Sequence, residues 1–280
     1  MNMRLTNSLL AVFALSLLAL IFFSSRDAEL PEQPVIFSPG LDNYQVIEIE
    51  RRGEPTLVCR REQGQWLIQH TAESTLVLQA NLWKLKQIID NLSKTNYLPV
   101  EGELEYSQFD LQQPLVILKL DNREIGFGNT NPINRKRYIS IDDKVYLIKD
   151  DVYRHVIDDW YEFIAKSLFD ENKKMTSITI NNVKAVRSKD LNWTLQAANH
   201  QPRMDQIQSF IDAWQHTQAT VVTTAEKRNF NFTIDISFED GDTRHYPAIN
   251  EHDALILFDQ RSKLEYHFST AATKQLLQFQ

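Results

Sequence analysis

Cysteine is almost absent: 280 residues hold one, Cys59. A single thiol makes no internal disulfide, which excludes a disulfide scaffold and a cysteine-rich metal centre. Basic charge is also short. The formal net charge is −7, which speaks against a nucleic-acid partner. Motifs that carry chemistry are missing as well. There is no Gly-x-Ser-x-Gly elbow and no phosphate-binding loop, and the histidines form neither a His-Glu-x-x-His nor a His-x-His pair. Gly126-x-Gly128 sits in a strand-like run with no helix behind it, so it is not a dinucleotide fingerprint. The Asp158-Asp159 pair falls on a predicted helix, where neighbours point apart, and reads as a solvated face. His245, His252 and His267 lie on or just before three predicted strands and could converge, but isolated strand histidines are more often ordinary surface or core residues. The expectation is no catalytic residue, no metal and no cofactor.

What the chain does have is one long apolar run. Leu9 to Phe23 spans 15 residues, with Ser16 the one that is not apolar. As a helix it covers ~22 Å, short of a ~30 Å hydrocarbon core. The uncharged flanks extend it to residues 6–25, 20 residues without charge, which is enough to span. The amino terminus and Arg4 precede it; Arg26, Asp27, Glu29 and Glu32 follow. The positive-inside rule then leaves the N-terminus in the cytoplasm and the body outside. The exit, FFSSRDAEL, has no Ala-x-Ala and no lipoprotein cysteine, so an uncleaved anchor is expected over a cleaved signal.

Residues 1–26 are thus read as a cytoplasmic tip and signal anchor, and 27–43, with three prolines, as a linker. From Tyr44 strand signals follow one another. YQVIEIER, TLVCRRE and QWLIQ are three strands separated by turns, and Ile47 and Ile49 share a face of the first. The period then changes. Leu78, Leu82, Leu85, Ile88, Ile89 and Leu92 predict an amphipathic helix over 79–94, with Lys84, Lys86 and Asp90 on its wet side. PLVILKL, REIGFGN, YISID and VYLIK are four more strands. A second helix carries Val152, Val156, Trp160, Phe163 and Ile164 on its apolar face. The same order recurs from Ser177 to the closing TAATKQLLQF, and Trp193 in NWTLQ answers Trp66 in QWLIQ. The predicted fold is α+β: two tandem repeats of an antiparallel sheet plus helix, at 44–170 and 176–280, behind one N-terminal transmembrane helix. Trp66 and Trp193 should be equivalent, each buried under its own repeat's helix.

Certain of these runs resemble a known family. Trp66 and the following helix lead to LEYSQFDLQQPLVILKL, then IGFGNTNPINRKRYISIDDKVYLI, a helix and FIAKSLF. This is similar to the DUF4340 family, a domain of unknown function on membrane-anchored bacterial envelope proteins. The family shows a tryptophan strand, a helix, a tyrosine-x-leucine-x-x-proline lead into a strand, a glycine hairpin and tyrosine strands. Here Tyr106, Leu111, Pro114, Gly126, Gly128, Tyr138 and Tyr146 stand for these, and the family's usual glycine after the tyrosine is replaced by Ser107. The resemblance covers about residues 44–170 well and the second repeat weakly, and it has no catalytic content. It implies an inner-membrane, single-pass protein with its body in the periplasm. It also implies an accessory role, because some members are linked with gliding-motility-type ABC transporter auxiliaries.

The most distinctive charged element is Arg135, Lys136, Arg137 and Tyr138 at a predicted hairpin. Three cations and an aromatic could bind an anionic lipid head group, a glycan or an acidic patch of a partner. The competing reading is a solvated loop whose charges prevent edge pairing. Two functions follow. One is a non-enzymatic envelope scaffold or accessory protein that acts through protein contacts, with a transporter as one candidate partner. The other is a module that binds a glycan, lipid or peptide between its repeats. A deep pocket there, lined by aromatics and converging polar groups, would favour the second.

Overall fold

Alternation builds both sheets. In β1 (Val46–Arg51) every second residue is buried, with Ile47 and Ile49 at no exposure. Leu57 and Cys59 of β2 (Leu57–Glu62) and Trp66 and Ile68 of β3 (Gln65–His70) continue that buried face. The structure is a computed structural model that describes Ser16 and residues 36–70, 76–102, 105–170, 172–196 and 202–279. The expected anchor, Ser16 excepted, and the linker as far as Val35 lie outside the described residues. Among the described residues no helix is long and apolar enough to cross a membrane.

The described chain forms two antiparallel sheets, of nine and eight strands. The first adds β4 (Val77–Gln79), β5 (Leu98–Pro99), β6 (Val116–Leu120), β7 (Arg123–Thr130), β8 (Arg137–Ile141) and β9 (Lys144–Ile148), in the order β4-β3-β2-β1-β6-β7-β8-β9-β5. The second holds β10 (Met175–Ile180), β11 (Val183–Arg187), β12 (Trp193–Gln196), β13 (Val221–Thr224), β14 (Phe232–Phe238), β15 (Thr243–Glu251), β16 (Ala254–Asp259) and β17 (Leu264–His267). Its order is β12-β11-β10-β14-β15-β16-β17-β13. The topology is the same twice except for β4, an extra edge strand of the first sheet. The first three strands run outward in order, β1-β2-β3 or β10-β11-β12, and a 13-residue helix comes before the next shared strand, α1 (Leu82–Lys94) or α3 (Met204–His216). A short strand then closes the far edge, a four-strand meander returns beside the first strand, and a short helix ends the unit, α2 (Asp151–Val156) or α4 (Thr270–Leu276). Each long helix packs on its own unit's short one, and the Trp214 indole of α3 donates to the Leu276 carbonyl at 3.0 Å. Phe37–Gln280 is one compact unit, so the sheets do not separate into independent bodies.

Three details differ from the sequence reading. The edge strands β4, β5 and β13 have two to four residues each, too few to show a period, and β5 contains Pro99. The second helix stops at Val156, because the Asp158 carbonyl accepts from the Arg51 guanidinium at 2.8 Å instead of continuing the spiral. Trp160 then sits in a 3₁₀ turn, half-buried and stacked on His70 at 4.7 Å. The tryptophan pair matches in register: Trp66 lies opposite Arg61 and Trp193 opposite Arg187. Burial differs, however. Trp66 is 5% exposed, whereas Trp193 is only half-buried. β4 pairs outside β3, while among the described residues no strand pairs outside β12.

The two sheets meet along a hydrogen-bonded seam. Ala80 bridges Ile164, the Ala165 amide donates to the Gln79 carbonyl at 2.9 Å, and the Asn81 amide donates to the Phe163 carbonyl at 2.7 Å. One residue on, the Lys166 carbonyl accepts from the Ala219 amide at 2.8 Å, just ahead of β13. Residues 163–166 therefore tie the β4 edge of one sheet to the β13 edge of the other.

Candidate functional site

The four-residue candidate on the β7–β8 connection comes apart in the structure. Arg137 is 7% exposed. Its Nε donates to Asp150 Oδ1 at 2.5 Å, one terminal nitrogen donates to the Gly128 carbonyl at 2.5 Å, and the guanidinium lies 3.4 Å from the Tyr153 ring centre. It is a packing residue of β8, not a free cation. The Tyr138 hydroxyl accepts from Asn131 at 2.7 Å, and its ring packs on Phe109 at 4.3 Å. Arg135 is exposed with a left-handed φ of 58°, and Lys136 is half-buried. Asn131 organises the loop around them: its Oδ1 accepts from the Ile133 and Asn134 amides, and its amide donates to the Lys136 carbonyl at 2.7 Å.

Leu111, Pro114, Gly126, Gly128 and Tyr138, of the residues that carry the family resemblance, lie close together for steric reasons. A side chain at Gly128 would collide with the Phe109 carbonyl, and one at Gly126 with Ser140 and Pro114. The Tyr106–Pro114 stretch crosses so close to β7 that glycine is required there. Other candidates stay apart. Asp158 pairs with Lys84, while Asp159 accepts from the Tyr161 hydroxyl. His245 pairs with Asp235 on β14, His267 contacts Thr223 on β13, and His252 is in the β15–β16 turn. Among the described residues no group of potential ligands could hold a metal ion. Burial pushes the Cys59 thiol up to about 12, so it is unreactive at neutral pH.

Sequence reasoning did not find the main cavity. An open cleft of about 860 Å³ lies at the seam. The start of α1 shapes it. Asn81 caps the helix, its Oδ1 accepting from the Lys84 amide at 3.2 Å, and its Nδ2 donates to the Glu162 carbonyl at 3.0 Å. The apolar stripe of α1 is Leu85, Ile88, Ile89 and Leu92. Leu78 belongs to β4, and the first helical turn inverts the sequence expectation. Lys84 is 5% exposed, ion-paired with Asp158 and 5.4 Å from the Phe163 ring centre. Leu82 and Trp83 are 55% and 64% exposed and line the cleft instead. Trp66 and Gln79 reach it from the first sheet, Lys166 and Ser167 from the seam, and Gln218 from the segment before β13. Leu41 and Asp42, shortly after the chain enters the body at Phe37, also line it. A neighbouring hollow holds His155, whose pKa is lowered by burial first and by the Lys84 ammonium second. Trp83, a large aromatic off the apolar stripe, is the signal in the sequence that could have marked the cleft.

The fold and this cleft define a class: an internally repeated α+β protein of two antiparallel sheets, with a cavity where the repeats join. Comparison with known families agrees with the resemblance seen in the sequence. The family described as Domain of unknown function (DUF4340) matches residues 66–231, more than half of the 280 residues, and the chain belongs to it. The match runs from Trp66 in β3 to Asn231 before β14, so it includes most of the cleft, though not Leu41, Asp42 or Arg61, and extends past the first sheet. No curated protein and no solved structure shows a significant match.

Proposed function

We propose that this chain is a membrane-anchored accessory protein of the bacterial envelope that works by binding, with the seam cleft as its working surface. Residues 6–25 would hold it in the inner membrane, with the body in the periplasm. The apolar run and its flanking charges support the anchor. The single observation that carries the binding role is the cleft itself, where Leu82 and Trp83 stand exposed at the start of α1. Its charged groups are largely held by protein partners, as in the Asp42–Arg61 pair at 3.0 Å, which suits a fixed surface better than a reacting centre. Family membership supports the envelope context, and the partner class that the resemblance implies is a transporter subunit.

In-cell photocrosslinking of the full anchored chain tests this reading. A photoreactive amino acid at Lys86, in the cleft, should give a defined adduct by mass spectrometry. The same residue at exposed Lys184 on β11, six strands from β13, should not. Equal labelling from both positions would remove the cleft from the account. A phosphatase fused after Gln280 should be active, and recovery of a soluble form beginning near Ser25 or Ala28 would remove the anchor.

A further inference from the structure

We infer that the seam cleft binds a neutral saccharide chain; this rests on the cleft being the binding surface proposed above. Three properties of the cleft select the ligand chemistry.

The first is its free polar groups. The side chains of Gln79, Ser167 and Gln218 line the cleft and have no hydrogen-bond partner among the described residues. Amides and hydroxyls each offer both donors and acceptors, the mixture that sugar hydroxyls require. A lipid tail would leave them unpaired against hydrocarbon, at a cost for each group.

The second is charge. Asp42 is paired with Arg61 at 3.0 Å, and Asp170 accepts from Gln65 and from the Asn172 amide. Lys166 donates to the Thr220 carbonyl at 2.8 Å. Among the described residues Lys86 is then the one charged side chain of the cleft without a partner. A strongly anionic ligand needs several convergent cations, and these are already engaged.

The third is the edge beside the cleft. A peptide adding as a strand needs open backbone donors and acceptors. Here Gln79, Ala80 and Asn81 already bond to residues 163–165 of the seam. Trp83, by contrast, presents an exposed ring whose negative face suits the C–H face of a sugar. The volume of about 860 Å³ falls in the ~300–1,000 Å³ range of ligand-binding cavities and accommodates a run of sugar rings rather than one.

Purified full-length protein in detergent should be titrated with a panel of neutral oligosaccharides built from N-acetylglucosamine, glucose or galactose, with tryptophan fluorescence and calorimetry as readouts. At least one member should bind, Trp83→Ala should weaken it at least tenfold, and Gln218→Ala should weaken it less. Both positions are exposed, and far-UV circular dichroism should show both variants folded. Raised salt should leave the affinity unchanged, because no charge pair is being screened. Binding by no member of the panel, or binding unaffected by Trp83→Ala, overturns the inference. If the Lys86 crosslink to a protein partner persists in either of those cases, the cleft is a binding surface and only its ligand class is wrong. If the crosslink is absent too, both readings fall.

Discussion

Arg137 and Lys84 show how far a charged residue's meaning depends on its partners. In the sequence Arg137 is a candidate anion-binding cation of an exposed loop and Lys84 a solvated one, yet both are buried. Each gains a carboxylate and an aromatic ring: Asp150 and Tyr153 for Arg137, Asp158 and Phe163 for Lys84. These partners lie 13 to 79 positions away, so no local pattern marks them. The triplet Arg135, Lys136, Arg137 should therefore not behave as a unit. Arg137→Ser should cost ~1–3 kcal/mol in urea unfolding, because it empties a buried site and takes the guanidinium donor from the Gly128 carbonyl. Arg135→Ser and Lys136→Ser should each stay within ~0.5 kcal/mol. Three equal effects would mean that Arg137 is solvated in the same way as its neighbours.

At the scale of elements, period and turn chemistry made most strands legible. Ile47 with Ile49, Val116 with Leu118, and Ile234 with Ile236 alternate, and each pair is buried. Two-residue turns such as Asp121-Asn122 and Asp142-Asp143 use residues that tolerate left-handed backbone, and Asp121, Asp142 and Asp143 all have positive φ. Edge strands of two to four residues were not legible, since they exist only because a neighbour supplies the ladder. The tryptophan pair tests the equivalence of the units. Trp66→Ala should cost ~3–5 kcal/mol, as large aromatic truncations in a core do. Trp193→Ala, equivalent in register but half-exposed, should cost ~1–2 kcal/mol by the smaller apolar area it buries. Equal losses would place Trp193 in a core as closed as that of Trp66.

For the whole molecule the decisive feature is the seam. Without it each sheet would end in an open edge; with it, residues 163–166 link the sheets and frame the cleft. A fragment from Phe37 onward should therefore unfold in urea as one transition, with far-UV circular dichroism and tryptophan fluorescence coinciding. Ala165→Pro deletes the amide that donates to the Gln79 carbonyl and should lower the midpoint for both probes together. Two separate transitions, one of them unmoved by the substitution, would mean that the repeats fold independently.

The α+β class, the repeated order of elements, the faces of the longer strands and the family are legible in the residues alone, because each is written in local periodicity, turn residues or short motifs. Which cations turn inward, where the second helix ends, why Trp193 is half-exposed while Trp66 is buried, and the opening of a cleft beside α1 emerge with long-range packing. Those outcomes depend on what approaches from elsewhere in the chain. Asp158 and Phe163 draw Lys84 in and leave Leu82 and Trp83 outside. The residues at 163–166 close one edge of the cleft, and Gln218 reaches it from beyond the seam. Contacts across such separations carry no period, so they become visible only when the two sheets are brought together.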